Sequence, residues 1–325
     1  MEKRKIIMDV DTGTDDALAL LIALLSDSVE LLGVTTVAGN RPVRQTTDNT
    51  LRLMEQVGRH VPVYRGCAEP LCAELFGDRH GASRSAVLGV EVNGQKIEYH
   101  SETLPYPPSP VREREISAVE YLIQTLMSSE GEIDLVCVAP LTNLSVAMRA
   151  QPGIREKIHR VIIMGGGFAS GNITGAAELN FWMDPEAAQI VLSSGCDITL
   201  VPLDATHDGA LSRQEAEKIR SIGTKAAETA ADLILTSIRA YETIRGMEGR
   251  APLHDALALC AAIDDSVLRN VRAARVDVDF GGGICDGMSV MDSRPHSGKR
   301  PNASVALGCN QQRFFDDLYK IIASA

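Results

Sequence analysis

Short apolar runs of strand length alternate along this chain with longer apolar or amphipathic stretches of helical length. KIIMDV (5–10) is followed by ALALLIALL, which predicts a strand and then a helix from about Asp15 to Leu25. Asp15 and Asp16 fall in the first turn of that helix, where their charge favours its dipole. ELLGVTTVAG (30–39) reads as a buried strand, 44–57 as a helix and VPVY (61–64) as another strand. The pattern then lapses. Region 65–114 is rich in Gly, Pro and charge, contains GDRHGASRSAVLG and PYPPSP, and shows no clear period, as expected of a mobile loop region such as a lid. Alternation resumes with a helix over 116–128, a strand over 133–139, a helix over 141–150 and a strand over 160–166. After an irregular loop, DPEAAQIVLSS places Asp184 as N-cap and Pro185 at the first helical position. A strand over 198–203, helices over 212–222 and roughly 225–245, a helix starting at 254–263, a β-like tail near 303–308 and a closing helix over 311–323 complete the reading.

Strand-then-helix repetition predicts an α/β fold with a mainly parallel central sheet flanked by helices, open and Rossmann-like. No linker divides the chain, so 1–325 reads as a single domain. In such sheets the active site lies at the C-terminal ends of the strands, where Asp9, Asp11, Asn40, Val138 and the Gly165–Gly167 run would all fall.

Composition narrows the function more than the fold. A net charge of −11, with no basic stripe, argues against a nucleic-acid polymer as partner. The apolar part of MEKRKIIMDVDTG is short and ends in aspartates, unlike a signal peptide, and no run approaches a membrane span. The seven cysteines are scattered without a CxxC pair, the pattern expected of reduced thiols in a cytoplasmic protein.

The chemistry begins in MDVDTGTDDALALL, where Asp9, Asp11, Asp15 and Asp16 crowd between an apolar strand and an apolar helix. A helix cap needs one carboxylate, and a buried cluster of like charges is costly unless a cation neutralises it. An oxygen-only set of this kind suits Ca²⁺ and, less comfortably, Mg²⁺. HDALALC (254–260) echoes DDALALL (15–21), making Asp255 either another ligand or an ordinary cap. In VAPLTNL (138–144) the strand-end carbonyl is free to bind a cation, while Thr142 or Asn143 could simply cap the next helix. The Gly-rich loop GGGFASGNITGAAELNFWMDPEAA lacks the order of a P-loop or dinucleotide fingerprint. Its Asn172, Glu178 and Asn180 are side chains that a polyhydroxyl ligand needs.

Taken in order, DVDTGTDDALAL, VTTVAGN, HG at 80–81, PLTNL, IMGGGFASGNITGAAELNFWMDPEAA, HDALAL and RPNASVAL resemble the inosine-uridine preferring nucleoside hydrolase family over nearly the whole chain. The resemblance implies Ca²⁺-dependent hydrolysis of the N-glycosidic bond of ribonucleosides to ribose and free base, through a metal-bound water and an oxocarbenium-like transition state. It implies Asp11, Asp16 and Asp255 as side-chain ligands, the Val138 carbonyl as a further ligand, and Asp11 as the group that activates water. Asp15, Asn40, Asn172, Glu178 and Asn180 match ribose-contacting positions, and Met164 flanks the pocket. His254 matches the histidine beside the departing base, and His80 one on a mobile loop near it. A homodimer or homotetramer is also implied. Three departures stand out: Val138-Ala139 where Thr-Gly is common, no further glycine after HG, and Asp286 where an arginine is common. Tyr241 is open to either reading, as base-pocket lining or as packing, and Asp9 is expected to support its neighbours from behind.

Two other functions draw on the same residue types. Phosphotransferases that form an aspartyl-phosphate also begin with DxD after a strand, but carry Thr or Val where Gly13 stands, and IDD (263–265) sits in a helical context. A Ca²⁺-dependent nucleoside or sugar binder without turnover would lack a base and an acid, whereas Asp11 and His254 are both present.

Overall fold

The structure, a computed structural model, describes residues 3–75, 89–92, 95–294, 296 and 298–324. Nine strands form one sheet in the order Ser289–Asp292, Arg272–Val278, Ala303–Val305, Ile198–Val201, Ile158–Met164, Ile133–Cys137, Arg4–Val10, Val29–Thr36, Val63–Arg65. Pairing is parallel from Ala303–Val305 across to Val63–Arg65.

The strand Arg4–Val10 shows how the sheet divides its core. Side chains alternate across a strand, so Ile6, Met8 and Val10 enter one apolar cluster and Ile7 the other. The first face is covered by the helices Thr14–Leu25, Val43–Val57, Lys225–Arg245, His254–Ile263 and Gln311–Ala323. The second is covered by Ala118–Ser128, Thr142–Ala150 and Pro185–Leu192. The echoed segments become the helices Thr14–Leu25 and His254–Ile263, which pack against each other and are buried nearly all round. Their uniform apolarity, without a polar stripe, is the composition such a central position requires.

Several expected boundaries hold closely: Asp184 caps the Ala187 N–H with Pro185 at the first position, and the closing helix spans Gln311–Ala323. Lys225–Arg245 starts under a Thr224 cap and stops at Gly246, whose φ of 67° is left-handed. Two regions differ from the sequence reading. Region 65–114 contains an antiparallel pair, Gly89–Val92 with Gln95–Glu98. Residues 264–302, where the apolar pattern predicts no element, supply Arg272–Val278 and Ser289–Asp292, an antiparallel edge. Ala274, Val276 and Val278 are buried in alternation with Arg275 and Asp277, a period-two signal present in the sequence. Among the described residues no helix is long and apolar enough to cross a membrane. The seven cysteines are all free thiols, with Cys137, Cys260 and Cys309 buried.

Candidate active site

After Val10 the chain turns through Asp11–Gly13 into the first helix. Asp16, the third residue of that helix, folds back over the turn: its Oδ1 accepts from the Asp11 N–H and its Oδ2 from the Gly13 N–H, each at 3.0 Å. The Asn40 side-chain amide donates to the same Oδ2 at 3.1 Å. Asp11 Oδ2 in turn accepts from the Asn40 backbone N–H at 2.5 Å. Only glycine permits this approach at position 39, since a Cβ there would stand 2.0 Å from Asp11 Oδ2. Asp11 Oδ1, Asp15 Oδ1 and Asn40 Oδ1 are buried and lack a hydrogen-bond partner.

Asp9 and Asp11 bond in different directions. Asp9 Oδ1 accepts from Thr35 Oγ1 at 2.6 Å and from the Asn143 amide at 2.8 Å. Asn143 also donates to the Thr36 carbonyl at 3.0 Å and accepts from the Cys67 N–H at 2.9 Å. Neither Thr142 nor Asn143 caps its own helix: Thr142 donates to Asp184 Oδ2 at 2.6 Å, and Asn143 ties three segments together beneath the turn.

The second buried helix begins beside the first. Asp15 Oδ2 accepts from the His254 backbone N–H at 3.0 Å, and Asp255 follows in the same turn. From the opposite wall, Glu178 caps the short helix Leu179–Met183 and accepts from the Gly166 N–H at 2.9 Å. The Asn180 amide donates to the Val138 and Met164 carbonyls, each at 3.2 Å, and Asn172 Oδ1 accepts from the Leu179 N–H at 2.9 Å.

Burial and mutual repulsion act on these acids together. Burial first, then the charge of Asp16, pushes Asp15 up to about 8 and Asp11 well above the usual carboxylate range. Asp255 is raised by burial and then by Asp15, Asp16, Asp11 and Glu178. Burial lifts Glu178 to about 7 against four backbone N–H donors. Among the described residues no three His, Cys, Asp or Glu side chains close on a common point as a finished ligand cage does. The donor chemistry nevertheless fits a hard divalent cation: buried carboxylates that raise one another, unpaired oxygens on Asp11, Asp15 and Asn40, and no sulfur.

At the far end of the cleft the groups are aromatic and basic. His254 Nε2 lies 2.7 Å from the Tyr241 hydroxyl and Nδ1 lies 2.6 Å from Thr206 Oγ1. Burial, then the neighbouring His207, His100 and Arg245, pushes the His254 imidazole down to about 3. Tyr99 meets Tyr241 edge-to-face at 5.3 Å and accepts from Arg245 Nε at 2.6 Å. Arg245 also donates to the Asn172 carbonyl. His100 Nδ1 accepts from the Thr14 N–H at 3.1 Å, and burial followed by Arg41 pushes that ring down to about 4. Arg41 fastens the segment by donating to Glu98 and to the His100 carbonyl.

A single cleft of about 780 Å³, its mouth included, is lined by Asp15, Asn40, Val138, Met164, Asn172, Glu178, Asn180, His254 and Asp255. Asp11 and Asp16 are not on the lining and stand behind it, each hydrogen-bonded to Asn40, while Tyr241 lines the cleft rather than serving as packing alone. His80 lies outside the described residues. Asp286 is away from the cleft, accepting from the Gly282 N–H at 3.1 Å within its own turn. Sequence reasoning missed Tyr99, His100, Ser237 and Arg245 on the lining, and Thr206 behind it. For Tyr99 and His100 no local signal existed, because they follow an aperiodic segment. For Arg245 the signal was a four-residue spacing from Tyr241, which places both on one helix face.

The inosine-uridine preferring nucleoside hydrolase profile matches residues 6–316. The chain is 33% identical over 315 residues to the pyrimidine-specific ribonucleoside hydrolase RihB of Escherichia coli (strain SE11), covering 97% of this chain and 96% of that protein. Among solved structures it is similar to a purine-preferring ribonucleoside hydrolase from Gardnerella vaginalis, with a TM-score of 0.85, 29% identity and 98% of each chain covered. It is also similar to the plant nucleoside hydrolase PpNRh1, with a TM-score of 0.83, 29% identity and 99% of each chain covered.

Proposed function

This chain belongs to the inosine-uridine preferring nucleoside hydrolase family and is a ribonucleoside hydrolase, and from that premise we propose that its cleft cleaves purine or pyrimidine ribonucleosides to ribose and free base with Ca²⁺ as cofactor. The observation that carries this reading is the junction of two chemistries in one cleft. Asp15 and Asn40, which carry buried, unpaired oxygens, share the lining with Glu178, Asn172 and Asn180, and Asp11, with an unpaired oxygen of its own, is bonded directly behind Asn40.

In this reading Asp11, Asp16 and Asp255 hold the cation through their side chains and Val138 through its carbonyl. When bound, the cation supplies positive charge that offsets the crowded carboxylates and makes water more acidic. Asp11 then acts as the base. Its Oδ2 is engaged by the Asn40 N–H, which leaves Oδ1 to receive the proton of the attacking water. Asp15, Asn40, Asn172, Glu178 and Asn180 orient the ribose, since carboxylates accept from hydroxyls and amides both donate and accept. Met164 supplies an apolar flank. Carboxylates in excess of the cation's charge favour an oxocarbenium-like ribosyl group as the bond breaks.

The leaving base departs toward His254, with His80 as a further base-side contact. His254 serves as the acid, and the Tyr241 hydroxyl at its Nε2 is the group through which a proton reaches the cleft. The same reading makes the enzyme a homodimer or homotetramer, which sedimentation equilibrium checks.

The decisive experiment measures reducing sugar released from inosine, adenosine, guanosine, uridine and cytidine by chelated enzyme, before and after Ca²⁺ is restored. Activity that appears only with Ca²⁺ supports the reading. No turnover of any of the five overturns it, and full activity after chelation removes the cation from it.

A further inference from the structure

The edge strand Ser289–Asp292 and the turn before it stand outside the cleft lining, yet they meet both ends of the loop that carries Asn172 and Glu178. At the start of that loop, Ser289 is buried, and its Oγ accepts from the Gly167 N–H and donates to the Gly167 carbonyl, each at 3.0 Å. At its end, Gly287 lies so close to Trp182 that a Cβ there would stand 2.5 Å from Trp182 Cα. Its φ of 80° is left-handed as well, so both space and conformation call for glycine.

A second element holds the next two peptides. Asp204, in the short helix Leu203–Thr206, accepts from the Phe168 N–H through Oδ2 at 2.8 Å and from the Ala169 N–H through Oδ1 at 3.1 Å. The Leu203 N–H donates to the Gly166 carbonyl at 2.9 Å. Four consecutive N–H groups, Gly166 to Ala169, thus end on side-chain oxygens of Glu178, Ser289 and Asp204. A loop without a ladder depends on such anchors to satisfy its peptides, and they decide where it stands.

The anchored peptides reach the cleft through Glu178. One of its oxygens accepts from both Gly166 and Phe181, and the other from Asn180. Displacing Gly166 and Gly167 therefore moves a carboxylate of the cleft wall. Asn172 follows three residues after Ala169 and is tied back to the Leu179 N–H.

We propose that Asp204 and Ser289 are positioning residues for ribose binding: they clamp peptides 167–169 and so hold Glu178 and Asn172 where a sugar can meet them. Neither residue lines the cleft. The inference rests on the proposed function for the identity of the bound group, while the clamp itself is independent of it.

Hydrogen exchange of the full-length protein, read by mass spectrometry on overlapping peptides across 165–178, tests the clamp without turnover. Asp204→Asn keeps the size but offers one acceptor in place of two, and Ser289→Ala removes the hydroxyl. Slow exchange of the 166–169 amides is expected in the wild-type protein, with a rise of roughly 10-fold in each variant. Fast exchange of these amides in the wild-type protein overturns the proposal whether or not any variant folds. Unchanged exchange in the folded variants overturns it equally.

Kinetics add the consequence. For every riboside that the wild-type enzyme cleaves, both variants lower kcat/KM by a common factor of roughly 5- to 50-fold, mainly through KM, because the ribose contacts do not depend on the base. Val276→Ala is the control for destabilisation alone, since it shortens a buried side chain of the neighbouring strand and removes none of these bonds. It melts lower with KM unchanged. Clamp variants that behave like this control, or that lose kcat at constant KM, overturn the positioning role. Absence of turnover by the wild-type enzyme bears on the proposed function instead, and the exchange measurement still decides the clamp.

Discussion

Asp15 and His254, 239 residues apart, are joined by a hydrogen bond of 3.0 Å from the His254 backbone N–H to Asp15 Oδ2. Each residue lies in the first turn of its own helix, so the carboxylate of one helix start satisfies an orphan N–H of the other. The contact sets the first and last acidic motifs of the cleft against each other. Asp15 Oδ1 is left buried without a hydrogen-bond partner.

Asp11 is expected to be the base, so Asp11→Ala should lower kcat by about 10²–10⁴ while the circular-dichroism spectrum stays that of the folded protein. Asp11→Asn should lose comparable activity, and without Ca²⁺ should melt no lower than wild type, because it removes a carboxylate that burial and Asp16 disfavour. Near-normal kcat in Asp11→Asn would remove Asp11 as the base.

Cation binding should register as stability. At a Ca²⁺ concentration about 100 times the Kd, stability should rise by about 2.7 kcal/mol, read by thermal or urea unfolding of chelated and reloaded protein. Asp255→Asn should lose most of that increment at the same concentration. Identical melting curves with and without Ca²⁺ would contradict the assignment of these carboxylates.

His254→Ala should slow purine nucleosides by about 10²–10⁴ and leave p-nitrophenyl riboside within a few-fold of wild type, since only the purine needs a proton to depart. Parallel measurements of kcat on the two substrates decide it. Equal losses would contradict the acid role.

Asn143 is fully buried and holds Asp9, the Thr36 carbonyl and the Cys67 N–H at once. Asn143→Ala should therefore cost roughly 1–3 kcal/mol of stability by stranding buried polar partners. Activity should fall about 10- to 100-fold through loosened support of the turn. Urea unfolding and kcat/KM measure the two effects separately. A variant as stable and active as wild type would show that this network supports nothing.

His100 makes stability depend on pH. Its ring is pushed from 6.5 down to about 4 by burial and then by Arg41, while the unfolded chain binds its proton near 6.5. Below pH 6.5 the unfolded state therefore gains protons that the folded state does not, so this group destabilises the fold increasingly as pH falls toward 4. The full effect is about 3 kcal/mol. His100→Gln, which can still accept from the Thr14 N–H, should flatten the loss between pH 6.5 and 4 by about that amount. Parallel stability-against-pH curves for the two proteins would argue that His100 titrates normally.

The sequence by itself determined the elements whose signals are local. The apolar period of KIIMDV and ALALLIALL, the Asp184-Pro185 start and the 311–323 pattern each follow from neighbouring residues, and the structure reproduces them. The echo between DDALALL and HDALALC also pointed to two equivalent helix starts, and the structure packs those helices side by side. The tertiary structure alone decided what depends on distant partners. The four aspartates of the opening motif part company because Asp9 answers to Thr35 and Asn143, Asp11 and Asp16 to Asn40, and Asp15 to His254. Tyr99, His100 and Thr206 became part of the site's surroundings only through partners more than 40 residues away. The reason is physical. Period and capping are encoded in the few residues that share a turn or a strand, whereas a side chain's role in a cleft is set by whichever segment the fold brings against it.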